Sequence, residues 1–93
     1  MTDRTVLITG ATAGIGEAAA RAFAAAGWRV IGTGRRAERL EALATEIGPK
    51  MHMLAFDMRD EAAIDGALAS LPPEFQAIDL LINNAGLALG TAP

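Results

Sequence analysis

A glycine-rich stretch at residues 9–16, with the sequence TGATAGIG, is the feature that most constrains the fold of this chain. It separates a short β-branched and apolar run, Thr5 to Thr9, from a segment, Gly14 to Ala26, whose apolar side chains recur at helical spacing. The N-terminus of a helix presents unpaired backbone N–H groups and the positive end of the helix dipole, so it attracts phosphate. Glycine permits the tight turn and the close approach of a diphosphate to the backbone. Strand, turn and helix in this order predict a phosphate-binding turn.

The alternation of short apolar runs with helical patterns continues along the chain. Further strands are predicted at residues 28–33, 51–56 and 78–82, and further helices at residues 36–47 and 60–71, with Asp60 as N-cap. The only linker-like stretch, Leu71 to Glu74, lies inside one of these units. Strands joined by helices of this length run parallel, with right-handed crossovers. The order βαβαβαβ therefore predicts an α/β fold, namely a Rossmann-type doubly wound parallel sheet with strand order 3-2-1-4.

Composition and charge argue against several other classes of protein. The chain has 93 residues and a net charge of −3, whereas a nucleic-acid surface needs clustered lysine and arginine. It has no cysteine, so we expect neither a disulfide framework nor a thiolate metal site. Its N-terminal apolar run is far shorter than the ~20 residues that span a bilayer. We therefore expect a cytoplasmic protein without a membrane segment, a metal site or a nucleic-acid partner.

A second motif, Asn83-Asn84-Ala85-Gly86, follows the fourth predicted strand. Together with TGxxxGIG, it resembles the classical short-chain dehydrogenases/reductases, and the resemblance covers residues 5–90. It implies that the glycine-rich turn holds the diphosphate of a dinucleotide through Gly10, Ala11, Thr12, Ala13, Gly14, Ile15 and Gly16. It also implies that Asp57 accepts a hydrogen bond from the adenine amino group, that the backbone N–H of Met58 bonds the ring, and that Asn84 contacts the ribose side.

Each of these assignments has a purely structural alternative. The glycine-rich stretch is then a connection without a ligand, Asp57 a turn or capping carboxylate, and residues 83–86 an asparagine–glycine turn. His52, the only histidine, has no partner for triad or metal chemistry, and we expect it to be a strand residue without a catalytic role.

The end of the second predicted strand distinguishes NADP from NAD. In dinucleotide-binding folds an acidic residue at this place binds the ribose 2′-hydroxyl of NAD, whereas arginine accommodates the 2′-phosphate of NADP. This chain has Arg35 and Arg36 there and no acidic residue. Two guanidinium groups can bind one phosphate through charge-assisted, bidentate hydrogen bonds. The alternative, a solvated pair at the start of a helix, is disfavoured because cations oppose the helix dipole there. We therefore predict NADP(H) as the cofactor.

The catalytic residues of the family have no counterpart in these 93 residues. In the family a tyrosine acts as general acid and base beside a lysine, and a serine orients the substrate oxygen. This chain has no tyrosine, and its only serine and lysine, Ser70 and Lys50, stand in no matching motif. We expect residues 1–93 to be the N-terminal portion of a single NADP-binding Rossmann domain, inactive alone and with an exposed apolar edge at Leu80 to Ile82. A genuine short product that binds nucleotide or is inactive is the alternative.

Three short sequence segments indicate a subgroup within this family. Residues 32–40 (GTGRRAERL), 71–75 (LPPEF) and 83–90 (NNAGLALG) resemble the NADP-dependent 3-hydroxy acid dehydrogenases, which are similar to serine and allo-threonine dehydrogenases and also reduce malonic semialdehyde. The resemblance implies hydride transfer between NADP(H) and a small-molecule 3-hydroxy acid in a homo-tetramer or dimer. Other classical reductases, such as 3-oxoacyl carrier-protein reductases, share the opening motifs and are the alternative.

Overall fold

Strands and helices alternate along the chain in the computed structural model, which describes residues 4–11, 14–57 and 60–83. The elements are β1 (Thr5–Thr9), α1 (Gly14–Ala25), β2 (Arg29–Gly34), α2 (Ala37–Ile47), β3 (Met51–Ala55), α3 (Glu61–Ala69), a 3-10 helix (Pro73–Phe75) and β4 (Leu80–Asn83). All three strand pairs are parallel, and the sheet order is β3-β2-β1-β4. The predicted α/β fold and strand order are therefore confirmed. Within the described ranges, no helix has the length and apolarity needed to cross a bilayer.

The central strand β1 fixes the geometry of the sheet because it pairs on both sides. Val6 is level with Val30 of β2 on one side and with Leu80 of β4 on the other. At the far end of β1, Thr9 is level with Asn83 of β4. Because all four strands run in the same direction, their carboxyl ends lie at one edge of the sheet, which we call the carboxyl edge.

Apolar side chains cover both faces of the sheet, as expected for strands that lie between two layers of helix. The first face packs under α1 and α2, and its buried core comprises Val6, Ile8, Ala11, Ala20, Val30, Leu40, Leu43 and Met51. The second face packs against α3 and the 3-10 helix, and its buried core comprises Ile31, Leu54, Leu71 and Phe75. Successive strand residues alternate between the faces, so Val30 belongs to the first core and Ile31 to the second.

The linker-like stretch, Leu71 to Glu74, lies in the connection between α3 and β4, as predicted, and it is packed against the sheet. Pro73 begins a 3-10 helix, and Leu71 and Phe75 on either side of it are both buried in the second core. The fixed φ of proline suits the first position of a helix, where no backbone N–H is needed. The side-chain amide of Gln76 donates to the backbone oxygen of Leu71 at 3.0 Å and closes the turn. Two apolar anchors and a proline thus order a segment whose composition suggested a loop.

Asp60 caps α3, as predicted. Its extended backbone places the side-chain oxygen Oδ1 3.2 Å from the backbone N–H of Ala63, from which it accepts a hydrogen bond. This satisfies one of the N–H groups that the first turn of a helix leaves unpaired.

The strand β4 carries exposed apolar side chains, as predicted for this segment. Leu80 is 39% exposed and Leu81 58% exposed, whereas Ile82 packs against the first core. The start of β4 is fixed to β1 through Asp79, whose backbone N–H donates to the oxygen of Thr5 and whose carboxylate accepts from the N–H of Thr5, both at 2.9 Å. β4 begins at Leu80, two residues after the predicted start at residue 78.

Replacing Thr5 by valine is expected to stabilise the fold. The side chain of Thr5 is buried, and within the described ranges its hydroxyl has no hydrogen-bond partner. A buried polar group without a partner costs about 1–3 kcal/mol, and valine has nearly the same shape. We expect Thr5→Val to raise the free energy of unfolding by about 1 kcal/mol in urea denaturation. The exposed Thr45 on α2 supplies the control, because Thr45→Val removes no buried hydroxyl. A less stable Thr5→Val variant would contradict the assignment of an unpaired hydroxyl.

Candidate functional site

Most of the described site residues directly follow the carboxyl ends of the strands, at the carboxyl edge of the sheet. Gly10 and Ala11 follow β1, Arg35 and Arg36 follow β2, and Asp57 follows β3. The segments after β2 and β3 are held together because the backbone N–H of residue 56 donates to the oxygen of residue 34 at 2.9 Å. In open α/β sheets the ligand crevice lies outside the carboxyl ends of the strands. The fold therefore gathers most of the described site residues where such a crevice forms.

The glycine-rich turn depends on two glycines in the left-handed region of backbone space. Gly10 has φ +66° and Gly14 has φ +48°, a conformation that side chains with a Cβ rarely adopt. Gly14 and Ile15 begin α1 and are exposed, with Ile15 72% exposed, whereas Gly16 is buried. The first turn of α1 thus faces solvent, and its third residue packs inward. Thr12 and Ala13 lie outside the described residues, so their roles stay predictions.

A backbone hydrogen bond joins the glycine-rich turn to β2. The N–H of Ala11 donates to the oxygen of Thr33 at 2.9 Å, and the Ala11 side chain is fully buried. The neighbouring strand residue, Gly32, leaves room for this contact, because a Cβ built on it would stand 3.2 Å from the Ala11 Cβ. Sequence analysis did not single out Gly32. The available signal was a glycine inside an otherwise β-branched strand, which often marks the close approach of another backbone segment.

The arginine pair stands at the start of α2. Arg36 is the N-cap residue, with an extended backbone and no side-chain cap, and both Arg35 and Arg36 are exposed. Among the residues that the structure describes, neither guanidinium takes part in an ion pair or a side-chain hydrogen bond. Two cations that face solvent beside the positive end of a helix dipole repel one another and favour an anionic partner. The structure therefore leaves both guanidinium groups available to a phosphate.

Arg21, by contrast, is fully engaged on the outer surface between α1 and α2. Its guanidinium bonds Glu46 at 2.6 and 2.9 Å and Glu17 at 2.6 Å. The bond to Arg21 holds the pKa of Glu46 below its ordinary value, and the two carboxylates raise the pKa of Arg21. The pair accordingly favours the folded state above the ordinary pKa of glutamate and loses this effect as the pH falls. All three side chains are exposed, so screening by solvent makes the link weak.

Two shallow depressions flank this ion-pair cluster, with volumes of about 250 and 350 Å³. Both are lined by Arg21 and Glu46, and neither includes a residue of the glycine-rich turn, the arginine pair or Asp57. They lie between the outer sides of α1 and α2. These two depressions and the predicted site are therefore lined by different residues.

The remaining predicted residues are only partly described. Asp57 is half-buried after β3, and its backbone oxygen accepts from the N–H of Asp60 at 3.0 Å. Met58 and Asn84 lie outside the described residues, so their roles stay predictions. The preceding Asn83 is joined to β1, because the hydroxyl of Thr9 donates to its side-chain oxygen at 3.0 Å.

His52 lies on β3, outside this group of residues. It is half-buried, and its ring is 5.4 Å from the ring of Phe75 in the second core. The structure thus places His52 in a packing contact.

The chain matches the sequence model of the short chain dehydrogenase family over residues 4–93. It is 66% identical over 89 residues to serine 3-dehydrogenase of Agrobacterium fabrum, and the matched residues make up 96% of this chain and 36% of that protein. It is 54% identical over 88 residues to the NADP-dependent 3-hydroxy acid dehydrogenase of Escherichia coli, and the matched residues make up 95% of this chain and 36% of that protein. The chain therefore spans little more than a third of the length of these curated relatives.

The backbone is similar to that of a solved serine dehydrogenase, in its closed form and complexed with NADP+. The two superpose with a TM-score of 0.81 at 51% sequence identity, over 83% of this chain and 31% of the other. Sequence and backbone thus resemble the same group of proteins.

A matched pair of glycine substitutions tests the conformation of the turn. A methyl group on either Gly14 or Gly66 would meet no other heavy atom within 4 Å, so the two sites differ in backbone conformation rather than in space. We expect Gly14→Ala to lower the free energy of unfolding by about 1–2 kcal/mol, because φ +48° disfavours a Cβ. Gly66→Ala, inside α3, is expected to raise it by about 0.5–1 kcal/mol. Urea denaturation measures both, and effects of the same sign would contradict the left-handed conformation of Gly14.

Proposed function

Because this chain belongs to the short-chain dehydrogenase family, we propose that it is the NADP(H)-binding segment of an oxidoreductase acting on a 3-hydroxy acid such as serine or allo-threonine. The reaction is hydride transfer between the cofactor and the carbon that bears the hydroxyl group, or reduction of the matching semialdehyde. The identity of 66% to a serine 3-dehydrogenase and of 54% to a 3-hydroxy acid dehydrogenase supports this substrate class.

One observation carries the proposal. The glycine-rich turn, whose glycines have positive φ, and the exposed arginine pair follow two neighbouring strands at the same edge of the sheet. The turn follows β1, the arginine pair follows β2, and the bond from Ala11 to Thr33 fixes one beside the other. A dinucleotide phosphorylated on its adenosine ribose carries anionic groups at two places, the diphosphate and the 2′-phosphate. Two anion-binding groups at a fixed separation suit such a ligand.

The described residues fit NADP(H) by their chemistry. Glycines with positive φ let the backbone approach the diphosphate, and the guanidinium groups of Arg35 and Arg36 supply bidentate donors for the 2′-phosphate. Asp57 supplies an acceptor for the adenine amino group, and we assign the further adenine and ribose contacts to Met58 and Asn84. When bound, the cofactor supplies the hydride or accepts it.

This segment binds and orients the cofactor and leaves the proton transfer to other residues. It holds no tyrosine, and its single lysine, Lys50, precedes β3 at the edge of the sheet opposite the candidate site. We assign the general acid and base to residues beyond these 93, in keeping with relatives that are nearly three times as long. We further propose that the complete protein is a cytoplasmic homo-tetramer or dimer with a small-molecule substrate.

Removal of the arginine pair is expected to abolish the preference for NADPH. In the polypeptide translated from the complete reading frame, Arg35→Ala with Arg36→Ala should raise the Kd for NADPH about ten- to a hundredfold, because each charge-assisted hydrogen bond contributes about 1.5–3 kcal/mol. The Kd for NADH should change little, since NADH lacks the 2′-phosphate.

The control variant is Arg39→Ala. Arg39 is also exposed on α2, but it lines the depression beside Arg21 and Glu46. Titration of each variant by fluorescence of the reduced nicotinamide gives the two dissociation constants. An unchanged ratio in the double variant would reject the arginine assignment.

The substrate class is tested by the direction and partner of the redox reaction. We expect the complete protein to reduce NADP+ with serine or allo-threonine. We also expect it to oxidise NADPH faster with malonic semialdehyde than with a 3-oxoacyl thioester. Initial rates followed through nicotinamide absorbance give kcat/KM for each substrate. Faster reduction of the thioester would favour the 3-oxoacyl carrier-protein reductase alternative.

A further inference from the structure

We infer that Gly32 and Met51 act as a pair of positioning residues for the glycine-rich turn. Neither residue is assigned a contact with the cofactor. They set the separation between the turn and the arginine pair, and so they tune the preference for NADPH over NADH. This inference rests on the proposed function, because it supposes that the turn and the arginine pair bind one ligand.

The space that Gly32 leaves open is shared by three other elements. A Cβ at residue 32 would stand 2.5 Å from Cε of Met51 on β3, 3.2 Å from Cβ of Ala11 in the turn and 3.8 Å from Cδ2 of Leu40 on α2. Real Cβ atoms essentially never show the first distance, which a movement of the flexible end of Met51 would relieve, and they rarely show the second, which needs a shift of Ala11 itself. The terminal methyl group of Met51 therefore occupies the place of the missing side chain.

Ala11 is held against β2 by its backbone and by its side chain. Its N–H donates to the oxygen of Thr33, and its methyl group is buried over Gly32. Arg35 follows Thr33 by two residues along the same strand direction. Any outward displacement of Ala11 from β2 therefore changes the distance between the turn and the arginine pair.

Such a displacement affects the two cofactors unequally. NADPH engages the turn through its diphosphate and the arginine pair through its 2′-phosphate, so its affinity depends on the separation of the two groups. NADH shares the contacts with the turn and the adenine site but has no phosphate for the arginine pair, so its affinity depends less on that separation. A larger side chain at residue 32 therefore reduces the affinity for NADPH more than the affinity for NADH, whereas a general loss of packing reduces both alike.

The experiment is a size series at residue 32 combined with Met51→Leu, in the polypeptide translated from the complete reading frame. Leucine ends one atom short of methionine, and so it vacates the place of the Met51 Cε. Gly32→Val is expected to raise the Kd for NADPH about tenfold and the Kd for NADH less, because the larger side chain overpacks the space between β2 and the turn. Gly32→Ala is expected to raise the Kd for NADPH about threefold. Adding Met51→Leu to Gly32→Ala should restore it, and Met51→Leu alone should change it less than twofold.

A second readout needs no cofactor. Hydrogen exchange at the backbone N–H of Ala11 reports the bond to Thr33 directly, and it should be faster in Gly32→Val than in the parent protein. Gly66→Ala is the control, because a methyl group there meets open space.

Equal losses for NADPH and NADH, or no recovery on adding Met51→Leu, would overturn the inference while leaving the proposed function intact. A parent protein that binds neither cofactor would overturn both. Should Gly32→Val fail to fold, the Gly32→Ala series decides by the same criteria.

Discussion

The parallel pairing of β1 on both of its sides is the constraint on which the rest of the structure depends. β2 and β3 are added on one side of β1 and β4 on the other. Because each parallel connection is a right-handed crossover, the direction in which a strand is added decides which face its helix covers. α1 and α2 therefore cover one face, and α3 with the 3-10 helix covers the second. Between them the carboxyl end of β1 is left open, and the glycine-rich turn lies there.

The turn makes use of this opening because its backbone takes conformations that only glycine adopts easily. Gly10 and Gly14 both have positive φ, and the start of α1 is exposed. The turn is held in place by the bond to Thr33, the buried methyl group of Ala11 and the inward packing of Gly16. Glycine thus supplies the backbone conformation, and contacts with a neighbouring strand fix its position.

Local sequence predicts those parts of the structure that local physics decides. Periodicity and connection length sufficed for the strand order, and a single carboxylate sufficed for the cap at Asp60. The order of residues 71–75 escaped prediction because it arises from burial of Leu71 and Phe75 against a sheet formed elsewhere in the chain. The role of Gly32 escaped for the same reason, since the two close contacts that a Cβ there would make come from Met51 on β3 and Ala11 in the turn. At the candidate site, the structure places the described part of the glycine-rich turn and the arginine pair at the carboxyl edge, and the binding roles of all the predicted site residues stay predictions. Thr12, Ala13, Met58 and Asn84 lie outside the described residues.

The two hydrogen bonds between Asp79 and Thr5 join residues that are 74 positions apart. A ribosome adds about 5–20 residues per second, so the nascent chain exposes one side of β1 for several seconds before its partner is made. Once β2 is made, β1 pairs with it on one side and presents an open row of backbone donors and acceptors on the other. Synthesis of this protein therefore includes an interval in which one edge of its central strand is open to pairing with another chain.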